Sequence, residues 1–226
     1  MKVSSKIDFR DEESLRSILQ TAQTITRKRF SLEISREECI RGLKMAREAE
    51  VGRRGMTTVD SAAQRQHIEA AADWLINAEG KPGLFLYGNP GNGKTTMLRS
   101  LKRLTDLCIK HTLPIEEWRL FGLIDAREYA LMALDENRKE EMERIKKQPL
   151  LAIDDLGQDP EEIVRFGALL NPMVDLLQYR YDHQMVTIVA TNMMPSAISK
   201  RYGARVADRL REMMQMILFT NPTYRR

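Results

Sequence analysis

The sequence predicts an α/β fold: a parallel sheet flanked by helices, with a small helical region ahead of it. Two observations carry that expectation. Short apolar runs at 84–87, 150–153 and 185–191 alternate with amphipathic stretches of helical period, the pattern of strands buried on both faces. The first of these runs leads straight into a glycine-punctuated turn and then a helix-forming segment, TTMLRSLKRL, so strand, turn and helix follow one another as in a doubly wound domain.

That turn carries the most specific signal in the chain. Gly88, Asn89, Pro90, Gly91, Asn92, Gly93, Lys94 and Thr95, with Thr96 next, fit the phosphate-loop pattern G-x-x-x-x-G-K-[ST] in its required context. Gly91 and Gly93 let main-chain N–H groups close around a phosphate with no Cβ in the way, and the following helix points its positive end at that charge. Lys94 supplies a mobile cation to the β- and γ-phosphates, and the Thr95 hydroxyl is placed to ligate Mg²⁺. Nucleotide binding follows from these residue types.

The bulk properties are those of an ordinary globular chain. With 226 residues, 42% apolar and 30% charged, it can bury one substantial core. It contains no apolar run near the roughly 18 residues a membrane span needs, and its first residues have no apolar core of a signal peptide. Two widely separated cysteines, Cys39 and Cys108, propose neither a disulfide framework nor a zinc site, so a reducing cytoplasm is the expected location. The net charge of +4 permits contact with nucleic acid, and the excess is concentrated late: residues 196–226 carry seven Lys or Arg against two acidic side chains.

In chain order, residues 11–29 read as an amphipathic helix with acidic residues first and basic residues last. Residues 35–50 repeat the pattern, with Ser35 and Glu38 in capping-box spacing and Ile40, Leu43 and Met45 or Ala46 on one side. GRRG at 52–55 breaks the pair off, so the division expected is a helical region at 1–55, either docking a partner or merely packed on the core, and a main domain at 56–226. Asp60 reads as the cap of a third helix over 61–76, which leads into the strand at 84–87. A second strand is expected at 118–124, then two helices split near Asp135, the later one strongly charged.

The run LLAI at 150–153 ends in Asp154 and Asp155, which reads as a Walker B pattern at the functional end of a central strand. Asp154 would hold Mg²⁺ through water, and Asp155 would orient and deprotonate an attacking water, either directly or through a relay, since Asp is shorter than the more usual Glu. Residues 161–181 read as a helix split by Asn171 and Pro172. Asn192 stands at the tip of the strand over 185–191, where its amide can bond both the lytic water and a γ-phosphate oxygen.

With these pieces placed, the chain resembles the AAA+ ATPases of the DnaC, DnaI and IstB group, the helicase loaders and the ATPase helpers of transposition. The matching residues are GNPGNGKTT (88–96), LLAIDDLG (150–157), ATN (190–192), YGARVADRL (202–210) and ILFTNPTYRR (217–226). The resemblance implies an AAA+ domain with a parallel five-stranded sheet; in a departure from the larger AAA+ relatives, no helical lid is expected after it, since the sequence stops at Arg226. It further implies ATP and Mg²⁺ as ligands and ATP hydrolysis as a switch. Asn192 would be sensor 1, Arg209 the arginine finger completing a neighbour's site in a head-to-tail homo-oligomer, Arg205 the second arginine of that box, and Arg225 the sensor 2 arginine. The implied task is loading a replicative helicase onto DNA, with single-stranded DNA touching the assembly; the alternative is regulating a transposase on duplex DNA. Either client would be held by the N-terminal helices, for which no family match is found.

Overall fold

Runs of branched and apolar residues bounded by glycine, proline or charge become strands, and the helices between them bury one stripe each. The computed structural model describes residues 11–23, 29–112 and 121–224. The helical pair and its successor are α1 (Glu12–Gln23), α2 (Arg36–Gly52) and α3 (Ala62–Ile76). They are followed by β1 (Gly83–Gly88), α4 (Lys94–Thr112), β2 (Phe121–Asp125), α5 (Ala126–Met132), α6 (Lys139–Lys146) and β3 (Leu150–Leu156). Then come β4 (Ile163–Arg165), β5 (Ala168–Leu170), α7 (Pro172–Asp182), β6 (Val186–Thr191), α8 (Pro195–Tyr202), α9 (Ala204–Met213) and β7 (Met214–Phe219).

Five strands form one parallel sheet in the order β2-β3-β6-β1-β7, the five-stranded parallel sheet that the resemblance implied. Strand β1, which feeds the glycine loop, lies between β6 and β7, with Leu84 opposite Ile188 and Gln215. Successive side chains of β1 serve opposite layers. Leu84 and Leu86 join Ala152 and Ile188 under α2, α3 and α4, while Phe85 joins Ile153 and Val189 under α5, α7, α8 and α9. Leu84, Phe85 and Leu86 are fully buried, as a central strand with helices on both faces requires.

The division expected at residue 55 does not separate two cores. Cys39, Leu43 and Ala46 of α2 belong to the same apolar cluster as Leu98, Leu101 and Leu104 of α4, and Glu50 accepts from Arg103 Nε at 3.0 Å across that contact. Gly42 allows the approach: a Cβ there would stand 2.8 Å from a Leu104 methyl. The buried stripe of α2 therefore runs through Cys39, and Met45 points to solvent, 64% exposed. Its N-terminus is the expected capping box, with the Ser35 hydroxyl accepting from Glu38 N and Glu38 accepting from Ser35 N. Ser35→Ala should lower unfolding stability by about 1 kcal/mol in chemical denaturation, a loss Ser35→Asp would largely restore.

Other sequence expectations are corrected locally. Helix α1 is described over Glu12–Gln23 of the expected 11–29; residues 24–28 lie outside the described residues, and Arg29 is not helical but lays its guanidinium over the Trp74 ring, 4.6 Å from the centroid. Ser61, not Asp60, caps α3, because its hydroxyl accepts from Gln64 N while Asp60 pairs with Arg65 at 2.9 Å. The strand expected at 118–124 is β2; residues 118–120 fall outside the described residues.

The stretch expected as the first half of a helix at 161–181 is instead the hairpin β4–β5. Its two-residue turn holds Phe166 and Gly167 both at positive φ, 49° and 78°, the geometry that suits right-twisted strands. Only α7 is helical there, with Asn171 as its cap and Pro172 in its first turn. Among the described residues no helix is long and apolar enough to cross a membrane.

Candidate nucleotide site

The loop after β1 is built by close approach to the last strand. Gly88 sits at φ 134°, and a Cβ there would lie 2.3 Å from the Phe219 carbonyl oxygen, so only glycine fits. Asn92 is buried, and its Nδ2 donates to that same Phe219 oxygen at 2.7 Å, while Asn221 Nδ2 donates to Asn92 O at 3.1 Å. Tyr224 N donates to Gly91 O at 2.9 Å. The segment after β7 thus braces the loop from outside. Asn92, expected to serve the nucleotide, lends its side chain both to this brace and, through Oδ1, to Lys94.

Lys94 opens α4 with its chain 5% exposed, and its ammonium donates to Gly88 O at 2.9 Å, Asn89 O at 2.8 Å and Asn92 Oδ1 at 3.1 Å. The next residue reaches across to β3: Thr95 Oγ1 donates to Asp154 Oδ1 at 3.0 Å. Burial pushes the Asp154 carboxyl above its usual range, with the Thr95 hydroxyl pulling it back and Asp155 adding to the rise. Hydroxyl and carboxylate oxygens side by side, the carboxylate short of positive charge, are the donor set Mg²⁺ takes. Thr95 and Asp154 are the residues that would hold such an ion; among the described residues no cluster of three or more His, Cys, Asp or Glu could hold a metal.

The acidic pair is split by a backbone irregularity. The β3–β6 register shifts between Ile153 and Leu156, and Asp155 adopts φ 51°, a left-handed conformation uncommon for a residue with a side chain. Asp154 therefore stays against Thr95, accepting also from Asp155 N at 3.1 Å, while Asp155 turns into the open cleft. Four residues after Asp155, Asp159 is buried; it accepts from Gly157 N at 3.1 Å and from the Tyr202 hydroxyl, and pairs with Arg201, which fastens the turn after β3 to α8.

These tips meet at one cleft of about 910 Å³. Of the residues singled out in the sequence, Pro90, Gly91, Gly93, Lys94, Thr95, Thr96, Asp155 and Asn192 line it together, and Asn192 is exposed toward it at the tip of β6. The cleft also takes Gln158, Thr223 and Tyr224, and from the helical region Arg47, Val51 and residues 54–59. Sequence reasoning missed these. Residues 52–55 carried the signal of a linker, and Arg47 looked like any solvated arginine on an amphipathic helix.

The arginines of α9 do not face this cleft. Arg209 pairs with Asp182 at 3.1 Å and lies 4.7 Å over the Tyr181 ring, with its side chain 16% exposed. Arg205, one turn earlier on the same helix, is exposed. Arg225 lies outside the described residues.

No family model matches the chain, and no curated protein matches it significantly in sequence. Solved structures do. The crystal structure of DnaI is similar with a TM-score of 0.57 at 22% identity, covering 88% of this chain and 97% of that one. The DnaC helicase loader gives 0.54 at 19% identity over 72% of this chain and 93% of that one. The replication initiator DnaA, bound to AMPPCP and single-stranded DNA, gives 0.51 at 15% identity over 73% of this chain and 49% of that one. The chain shares their fold.

Proposed function

We propose that this protein binds and hydrolyses ATP and uses the cycle as a switch in DNA replication, loading a replicative helicase onto DNA. The observation that carries the reading is the convergence of Lys94 and Thr95 after β1, Asp155 on β3 and Asn192 after β6, three adjacent strand tips at one cleft, with Asp154 buried behind Thr95 and bonded to it. This is where open α/β sheets take their ligands. Phosphate oxygens would compete with the loop's own carbonyls for the Lys94 ammonium, and the N-terminus of α4 adds its positive end. Asn192 would orient the attacking water and Asp155 would accept its proton. Mg²⁺, held by Thr95 and Asp154, would neutralise charge developing on the phosphates.

The task is supported by the likeness to DnaC and DnaI, and contact with single-stranded DNA by the likeness to DnaA bound to it. The basic segment 196–226, with seven Lys or Arg against two acidic residues, fits a polyanion, whose binding should weaken steeply with salt. In a head-to-tail assembly α9 would meet a neighbour's cleft, Arg205 from an exposed position and Arg209 only after release from Asp182, and a guanidinium supplied in trans speeds phosphoryl transfer strongly.

The test is affinity capture with ATP present, alongside an ATPase assay on the full chain. Recovery of a hexameric helicase together with Mg²⁺-dependent turnover supports the reading. Recovery of a transposase instead shifts the client to transposition, and absence of turnover with DNA and partner supplied reduces the protein to a nucleotide-dependent scaffold.

A further inference from the structure

We infer that Arg47 of α2 is a nucleotide-binding residue, a second cation for the phosphate chain, through which the helix ahead of the ATPase core registers whether the site is filled. The inference rests on the reading of the cleft as an ATP site. Its starting point is an anomaly of burial. Arg47 is 6% exposed, and its Nη1 is buried with no hydrogen-bond partner. A guanidinium in such surroundings is ordinarily matched by an anion, since an unmatched buried donor costs more than most contacts return.

The group lies on the wall of the cleft. Its guanidinium stands 5.7 Å over the Tyr224 ring, and a Cβ built on Gly93 would be 3.8 Å from its Nη2. Tyr224 is in turn bonded through its N–H to Gly91 O. Arg47 is thus set against the glycines whose main chain would cradle phosphate. A cation–π contact on tyrosine stabilises by far less than desolvating a guanidinium costs, so the ring alone does not account for the placement. Burial lowers the Arg47 pKa, with the Tyr224 side chain opposing it in part, and a phosphate beside it would add to that opposition.

The planar fork of arginine suits bidentate contact with phosphate oxygens. Val51, in the last turn of α2, and residues 54–59 lie on the same wall, so a ligand that engages Arg47 also orders the end of α2 and the segment after it. The helices expected to hold the client would then be tied directly to nucleotide occupancy.

The experiment compares wild type, Arg47→Gln and Arg47→Lys by calorimetric titration with ATP and with inorganic tripolyphosphate, and by thermal unfolding without ligand. Arg47→Gln should unfold no earlier than wild type yet bind both ligands roughly 10- to 100-fold more weakly, with Arg47→Lys in between. In the wild-type chain, amide hydrogen exchange at residues 44–59 should slow on adding ATP. Unchanged ATP affinity in Arg47→Gln overturns the inference while leaving the ATP site standing. Weakening for ATP but not for tripolyphosphate places Arg47 on the base and overturns the phosphate assignment. Wild type that binds no ATP overturns both this inference and the reading beneath it. Should the variants fail to fold, unaltered exchange at 44–59 in wild type is by itself contrary evidence.

Discussion

Asp154→Asn is expected to cut ATP turnover at least about a hundredfold, the effect of losing several kcal/mol of metal-mediated charge stabilisation, while leaving the ligand-free fold undamaged. The two halves of that expectation come from one observation. Asp154 is buried against Thr95 and beside Asp155, and burial raises its pKa. A carboxyl whose folded pKa lies above its unfolded value is bound to its proton more tightly in the fold, so its favourable contribution is present at low pH and disappears as pH rises through the folded pKa. At neutral pH the charged group therefore weighs against folding, and an amide of the same shape relieves it while still accepting from Thr95 Oγ1 and Asp155 N. Thermal unfolding without nucleotide should show the variant equal to or above wild type, with the difference shrinking as pH falls toward the carboxylate range. Added Mg²⁺ and ATP should raise the wild-type midpoint more than the variant's. A variant that melts well below wild type without ligand would show that Asp154 holds the fold rather than a metal.

Arg180→Met should destabilise the protein by about 3–4 kcal/mol in chemical denaturation, the largest stability effect we expect from a residue remote from the cleft. Arg180 ends α7 with no solvent exposure, and burial pushes its pKa down to about 9. Its Nε donates to Thr187 Oγ1 at 2.8 Å, Nη1 to Gln148 O at 2.8 Å and Lys146 O at 3.2 Å, and Nη2 to Val186 O at 2.6 Å. The side chain thereby joins the entry to β3 with the first residues of β6, at the end of the sheet away from the cleft. Methionine fills much of the volume but offers no donor, so three carbonyls, two part-buried and that of Val186 buried, lose a donor at once. Arg180→Lys should recover only part of the loss, because one ammonium cannot reach acceptors spread around a planar fork. If both variants unfold like wild type, these bonds do not limit stability.

The glycine loop and the acidic pair were legible in the sequence because their chemistry demands particular residues at fixed spacing, and the central strands because burial on both faces leaves unbroken apolar runs. The hairpin at β4–β5 was missed for the opposite reason. Ile163, Val164, Leu169 and Leu170 satisfy a helical spacing as readily as a strand, and Gly167 is what decides between them by permitting positive φ beside Phe166. The bulge that separates Asp154 from Asp155 leaves no mark in composition, since it is set by pairing with β6. Arg47, Arg180 and Asn221 were unreadable because what they do depends on segments far away in the chain. Nothing adjacent to Arg180 announces that its partners lie before β3 and at the start of β6.

Strand β1 has only β6 and β7 for neighbours, and Gly88 and Asn92 close on the carbonyl of Phe219. On the ribosome, then, the strand that carries the cradle is made long before either strand that can pair with it, and the emerging polypeptide must wait unpaired for more than a hundred residues of translation. Such distant pairings are slow to form and leave sticky edges open meanwhile. A ligand of this cleft can therefore reward folding only after β7 has emerged, so whatever binds there meets the finished molecule rather than guiding the nascent one.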